Sequence, residues 1–584
     1  MNLWRNLSLA LSTATAHLSD DPVLLSLQIS RRLPAGLVSS VAKFLTRSFP
    51  RSTSTLVLLA SCIAGDKSGV DSRLRHAAES GISGTRARRA VDVALASGSP
   101  EWADQILPLA SGSKLLPATV ARRKWYDGDM QGAIDALAGE PGVMRKQLAR
   151  LVGEQRTFSG WTPELPPTAM MAVKGRVLHL LTNSLPHTSS GYAQRSHSIL
   201  LAQQDAGREV LAVTRLGYPV QVGKLLAADE DVIDGVRYAR LIPVKLAHTP
   251  DARLQQEAEE LLKVALEFKP EILHTTSHFL NGLVVSAVAK ALGIPWVYEV
   301  RGQLADTWAS TRSEQAKTSE RYVLFRGAES RVMQDADAVV TLGTVMLNGI
   351  VSQGIPVEKI ILAPNAVGGD FLLDPVTPEI ARGMLGLDPT LNYIGTVSSL
   401  VDYEGLDHLI DAFSILEPTF PKLRLLLVGG GTAVPALQTQ AAALQLSEKI
   451  IFAGRVPREQ TSLYHQALDI FVVPRKDLNV TRAVTPLKPV EALASSRPVV
   501  ASDLPALREI VEDGVNGRLC PAGDPQILAS TLLSLLQDEP ARLRFGREGR
   551  RGVLEGRTWA ANAQRCEAKY KELLMKLNKK ETSQ

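Results

Sequence analysis

The sequence predicts an α/β architecture of two tandem, doubly wound domains facing a cleft, preceded by an all-α, helical-repeat-like N-terminal domain. Three observations predict it. Over residues 1–157 apolar residues recur every three or four positions, with no strand-like alternation. From Lys174 onward, near-unbroken apolar strands alternate with helices, the pattern of a parallel sheet covered on both faces. From Asn392 the same alternation begins again. At 584 residues the chain also exceeds what one core can organise.

The N-terminal segment carries SVAKFLTRSF, RARRAVDVALAS and ARRKWYDGDMQGAIDALAG, each with helical spacing. The last has Tyr-Asp-Gly-Asp between two helical stretches, a tetratricopeptide-like hairpin without a regular repeat period. Residues 158–171, rich in proline, form a linker. The first Rossmann-like domain, residues 172–384, contains the strands RVLHLL, EVLAVTR, EILHTT, WVYEV, AVVTL and IILAPN. The second, residues 385–540, contains NYIGTVSS, LRLLLVGGG, IIFAG, DIFVVP and PVVASD. Residues 541–584 form a C-terminal helical tail. In such sheets ligands sit beyond the carboxyl ends of the strands, so the cleft between the two sheets is the expected site.

Composition narrows the class. Hydrophobic residues make up 45% and charged residues 21%, an ordinary globular balance. Residues 1–170 carry 20 Lys and Arg against 14 Asp and Glu, and the rest 45 against 46. That modest N-terminal excess argues against a nucleic-acid partner. Cys62, Cys520 and Cys566 form neither a metal spacing nor a disulfide framework, which points to a reducing, cytoplasmic compartment. The ten histidines show no zinc spacing, and Asp229, Glu230 and Asp231 read as a solvated turn after a helix-like LLAA. No apolar run reaches the ~18–20 residues that span a bilayer. MNLWRNLSLALSTATA is set aside as a signal peptide because Ser and Thr break its apolar stretch. SSVAKFLTRSFPR, residues 39–51, could lie on an anionic membrane or bury one face in its own domain, and the second reading is the expectation.

Three loops at strand ends carry the candidate chemistry. In LPHTSSGY, Gly191 opens a helix whose free amides attract anions, or simply serves an ordinary cap; there is no G-x-G-x-x-G, so NAD is not supported. VGGG, with Gly429 and Gly430, either borders a nucleotide or lets the chain turn tightly. In VVPRKDLNVTRAVTPLKPVEALASSRPVV, Arg475 and Lys476 follow a strand and Lys488 stands at the next helix start, either with Thr485 as N-cap and Pro486 at N1 or with the start three residues later at Pro489. A lysine and free helix amides aimed at one place suit a diphosphate.

Taken with SSGYAQRSHSILLAQQDAG, ADAVVTLGTVM, ILAPNAV, IGTVSSLVDYEGLDHLIDAF and IIFAGRVP, these loops make residues 174–540 resemble the retaining glycosyltransferases of family 4, which have the GT-B fold. The resemblance implies transfer of a sugar from a nucleotide-diphosphate sugar, with retention and without a cofactor or essential metal. It implies that Glu491 holds the donor ribose, that Lys488 and Arg475 meet the diphosphate, and that these three carry catalysis. Donor binding would also involve Ser190, Gly191, Gly429, Gly430, Thr485 and Leu487. The chain departs from the family at Ala483, where a glutamate is usual, in SSLVDYEG, with Glu404-Gly405, where many members have an arginine and a Lys-Gly pair, and at Arg301 in place of a histidine. His274, His278, Arg301 and Glu404 are candidate contacts to acceptor or donor. The acceptor would be a glycan or a lipid-linked precursor in cell-surface polysaccharide synthesis. Further partners would be a protein or the inner membrane face, reached through the helical N-terminal domain. Two other readings are open: a catalytically weak nucleotide-sugar-binding scaffold, favoured by Ala483 and Glu404, and a nucleotide-sugar epimerase, which needs acid–base groups in the cleft.

Overall fold

The computed structural model describes residues 3–30 and 35–581, with the side chains at 16–20, 28, 35–39, 580 and 581 left aside. Residues 1, 2 and 582–584, at the ends of the sequence-level domains, lie outside the described residues, as does the side chain that opens the 39–51 segment.

The first sheet contains β1 (Arg176–Leu181), β2 (Glu209–Thr214), β3 (Glu230–Ile233), β4 (Val236–Arg240), β5 (Ile272–Thr276), β6 (Trp296–Val300), β7 (Ala338–Thr341) and β8 (Ile360–Leu362). Their spatial order is β3-β4-β2-β1-β5-β6-β7-β8. Every pairing is parallel except β3 with β4. The second sheet contains β9 (Asn392–Val397), β10 (Leu423–Val428), β11 (Ile450–Gly454), β12 (Ile470–Val473), β13 (Val499–Ser502) and β14 (Gly517–Cys520). Its order is β11-β10-β9-β12-β13-β14, parallel throughout. Chain order reverses beside β1 and β5 in one sheet and beside β9 and β12 in the other, the two places where doubly wound sheets open a crevice.

Local chemistry accounts for the strands. β5, β6, β7, β12 and β13 are buried along their whole length, so both faces need apolar side chains and no alternation appears. Where the chain alternates instead, the edge hairpin β3–β4 forms, and this corrects the expected turn at 229–231: Glu230 and Asp231 are strand residues. Glu230 pairs with Arg237 at 2.8 Å and Asp231 with Arg240 at 2.7 Å. The preceding LLAA is not helical.

The N-terminal segment is helical from Leu3–Asp20 to Val143–Phe158. At Tyr-Asp-Gly-Asp, Gly128 turns with φ 89°, and Asp129 caps the helix Met130–Asp135 by accepting from Gly132 N. Its last helix delivers Phe158 onto Phe279 and Phe325, with ring centroids 5.1 and 5.2 Å away. Arg321 stacks over Trp125, Phe158 and Trp308, clamping the helical segment onto the first sheet's helices. Residues 161–173 then run without regular structure.

The tail divides. Helix Glu539–Gly556 packs on the second domain, but helix Trp559–Glu581 returns to the first, against Gly191–Asp205 and β8. Where the chain crosses between domains, Val367 N donates to Arg557 O and Asn562 Nδ2 to Pro364 O, so the outgoing and returning strands of chain run side by side.

Candidate functional site

On the second domain the site begins with helix Lys488–Ala494. Leu487, not Thr485, is its N-cap, and Pro489 occupies the first turn in place of Pro486. Proline lacks the N–H that the first turn leaves unused, so the later of the two prolines sets the start. Thr485 is 2% exposed; its carbonyl accepts from Asn365 Nδ2 of the first domain at 2.8 Å, while its hydroxyl has no partner. Leu487 packs with Trp559 and Ala563 of the returning helix.

Lys488 Nζ lies 2.7 Å from Glu491 Oε2, and His465 Nε2 lies 3.2 Å from the same oxygen. Burial alone would raise the Glu491 carboxyl, but Lys488 and then His465 outweigh it and hold it at about 2. His465 is fully buried, which lowers its own pKa, and its ring stacks on Phe471 at 5.2 Å. The result is an ionised, oriented carboxylate at a helix mouth. Sequence reasoning missed His465: nothing in SLYHQALDIF marks that histidine as facing a glutamate far along the chain.

Arg475 follows β12 but is not free to meet a ligand. Its guanidinium grips Glu404 through two bonds, of 3.1 and 2.7 Å, and donates to Val484 O at 3.0 Å. The departure noted at Glu404 therefore has a structural counterpart: this carboxylate neutralises the nearby arginine. Lys476 is engaged likewise by Asp402 at 2.8 Å and Asp407 at 2.9 Å. The glycines after β10 are required by a close approach of backbone. A Cβ on Gly429, where φ is 136°, would lie 1.8 Å from Ser398 O, and the open side of Gly430 meets Arg455. The VGGG loop thus rests on the loop after β9.

On the first domain, Ser190 caps helix Gly191–Asp205 by accepting from Ala193 N at 3.3 Å, and the space beside Gly191 is open. One turn on, Arg195 binds Glu299 at 2.7 Å, and Arg301 binds the other oxygen of Glu299 at 2.5 Å. All three residues are at most 3% exposed. Burial would raise Glu299, but Arg301 and then Arg195 keep it well below the usual carboxylate range. Arg301 also donates to Tyr192 O and Ser196 Oγ, which ties the end of β6 to the capped helix. Arg301 is thus a braced support under the loop rather than an open acceptor contact.

The two histidines are elsewhere. His274 is 1% exposed, stacks on His179 at 4.7 Å and bonds the Tyr570 hydroxyl at 2.5 Å, under the returning helix. Burial, then His179, lowers its pKa well below normal. His278 caps the helix Phe279–Leu292 and lies against Phe279 and Phe325; burial pushes it down to about 4. His274 is thus closed off among buried side chains, and His278 is engaged as a helix cap against two phenylalanines. Among the described residues no cluster of three or more His, Cys, Asp or Glu could hold a metal, and no helix is long and apolar enough to cross a membrane.

Residues 190–366 match the glycosyl transferase 4-like domain, and residues 379–552 match the glycosyl transferases of group 1. The chain belongs to these glycosyltransferases. The fold of this glycosyltransferase is GT-B with an added N-terminal helical region, and it carries Lys488 and Glu491 inside the group 1 segment. It is 24% identical to the α-monoglucosyldiacylglycerol synthase of Streptococcus pneumoniae, over 44% of this chain and 57% of that protein. It is 33% identical to the phosphatidyl-myo-inositol mannosyltransferase of Mycobacterium leprae, over 32% of this chain and 48% of that one. The chain thus spans about half the length of these relatives. Among solved structures, sucrose-phosphate synthase from Thermosynechococcus elongatus superposes with a TM-score of 0.55 at 20% identity, covering 68% of this chain and 99% of that one. Anabaena Alr3699/HepE, solved with UDP, gives 0.53 at 17% identity, covering 68% and 100%.

Proposed function

We propose that this chain transfers a hexose from a nucleotide-diphosphate sugar to a glycan or lipid-linked acceptor with retention of configuration, in cell-surface polysaccharide or glycolipid synthesis at the cytoplasmic face of a membrane. The observation that carries the reading is the buried Glu491 carboxylate, kept ionised by Lys488 and His465 at the start of a helix. Such a carboxylate accepts two vicinal hydroxyls, as a ribose presents. Lys488, about a third exposed at its side chain, can turn from Glu491 toward a phosphate once the ribose has taken over that carboxylate.

Breaking the glycosyl–phosphate bond leaves charge on the departing diphosphate. Lys488 and amides of the cleft loops meet that charge, each preorganised donor lowering the barrier by about 2–4 kcal/mol. Arg475 joins them to the extent that Glu404 releases it. The acceptor attacks from the face the diphosphate leaves, and a diphosphate oxygen takes its proton. No step is assigned to a metal. Two of the relatives, one a synthase of a glucosyldiacylglycerol and the other a mannosyltransferase of phosphatidyl-myo-inositol, support a lipid-linked acceptor.

The test is a thermal-shift screen with UDP, GDP, ADP and their common sugars on the wild type and Glu491→Ala. A base-specific rise in melting temperature that vanishes in the variant supports the donor site. No rise with any nucleotide overturns it; a rise without sugar transfer instead favours the nucleotide-sugar-binding scaffold, to which the Arg475–Glu404 pairing also points.

A further inference from the structure

The hairpin tip joining helices Ala35–Ser48 and Thr55–Ala64 carries large apolar side chains left exposed by the described residues. Val41, Phe44, Phe49 and Leu56 are 54%, 67%, 53% and 75% exposed. A folded domain normally turns such residues inward, and a cluster of them marks a contact surface. The expectation that this segment buries the same side chains in its own domain is therefore reversed. Ala42, at 3% exposure, faces the interior, and the carbonyl of Thr46 accepts from Arg73 Nη2, which fixes the helix with Phe44 outward.

Charge decides what fits there. Lys43, Arg47 and Arg51 are exposed around the patch. On a helix, residues 41, 44 and 48 share one side, with 43 and 47 beside them. From Asp21 to Asp66 the chain has five Lys and Arg and no acidic residue between them. Aromatic and aliphatic side chains whose charged neighbours along the chain are all cations suit a surface that is apolar beneath and negative on top, and an anionic lipid layer has that structure.

We propose that this hairpin tip docks the enzyme on an anionic lipid surface, with Phe44, Phe49 and Leu56 entering the headgroup boundary and Lys43, Arg47 and Arg51 meeting lipid phosphates. The surface lies on the helical N-terminal domain, outside both sheets, so it stands independently of the donor-site reading.

The full chain is sedimented with vesicles of phosphatidylcholine alone, or with added phosphatidylglycerol. Binding is expected only to the anionic vesicles, and weaker at high salt. The triple variant Lys43→Glu, Arg47→Glu, Arg51→Glu is expected to lose about a hundredfold in partitioning, and Phe44→Ser with Phe49→Ser at least tenfold, without loss of the nucleotide-induced thermal shift. Should a variant melt early, hydrogen exchange on the wild type decides: residues 40–56 gain protection with anionic vesicles and not with neutral ones. Equal binding to both vesicle types, no binding, or unchanged exchange overturns the proposal. So does a dimer in light scattering that the Phe variants dissociate, which would assign the patch to a second copy.

Discussion

Glu491 is held by two partners that pull in one direction, and the consequence is a pH dependence of known sign. Its folded pKa, about 2, lies below the ordinary glutamate value near 4.3. The stabilisation is therefore fully present above about pH 4.5 and is lost as pH falls toward 2. At neutral pH Glu491→Gln is expected to be less stable than the wild type by about 2–3 kcal/mol, and the gap should close below pH 3 in paired denaturant titrations. A gap that stays constant with pH would contradict the pairing. Glu404 makes an opposite case. Glu404→Gln frees Arg475 for a phosphate, so the nucleotide-induced thermal shift should grow although the unliganded protein loses about 1–3 kcal/mol by keeping a buried cation half-partnered. Calorimetric titration with nucleoside diphosphates reads the first effect and unliganded melting the second. Lys488 and Glu491 were legible in the sequence because a Pro-Leu-Lys-Pro-Val-Glu run before an apolar strand is a local signal. His465, Glu299 and the pairing of Arg475 with Glu404 were not, since each depends on a partner that only the fold brings near. His274 and His278 misled for the same reason: a strand covered on both faces gives its polar residues no local mark of which layer they meet.

Elements show how tightly the second domain is packed behind the site. Helix Glu539–Gly556 presses on helix Lys488–Ala494, and a Cβ on Gly546 would lie 2.2 Å from Ser496 O. Backbone cannot yield as a flexible side-chain tip does. Gly546→Ala should therefore cost about 1–3 kcal/mol and weaken nucleotide binding by displacing the helix that carries Glu491. A melting temperature equal to wild type would contradict the close approach. Most strands were readable because parallel strands buried on both faces give unbroken apolar runs. The edge hairpin β3–β4 and the short β14 were not, because half-exposed edge strands resemble polar turns.

Across the whole molecule, the two domains are joined by a latch as well as by the double crossing. Glu509 of the second domain accepts from Thr344 N and Val345 N, both at 2.8 Å, at the start of helix Thr344–Val351 in the first. A carboxylate suits the positive end of a helix. Glu509→Ala should raise amide exchange at Thr344 and Val345 by about tenfold or more while leaving strand amides of both sheets protected, as local opening requires. Unchanged exchange at those two amides would show that the latch is not formed in solution.

The returning helix Trp559–Glu581 has a consequence for synthesis. Tyr570 seals His274 of the first sheet and Gln203 of the helix Gly191–Asp205 beside it, yet it follows the whole second domain in the chain. During translation the first domain waits with that flank uncovered while the entire second domain emerges and folds between its halves. The first domain is finished only after the second has been made.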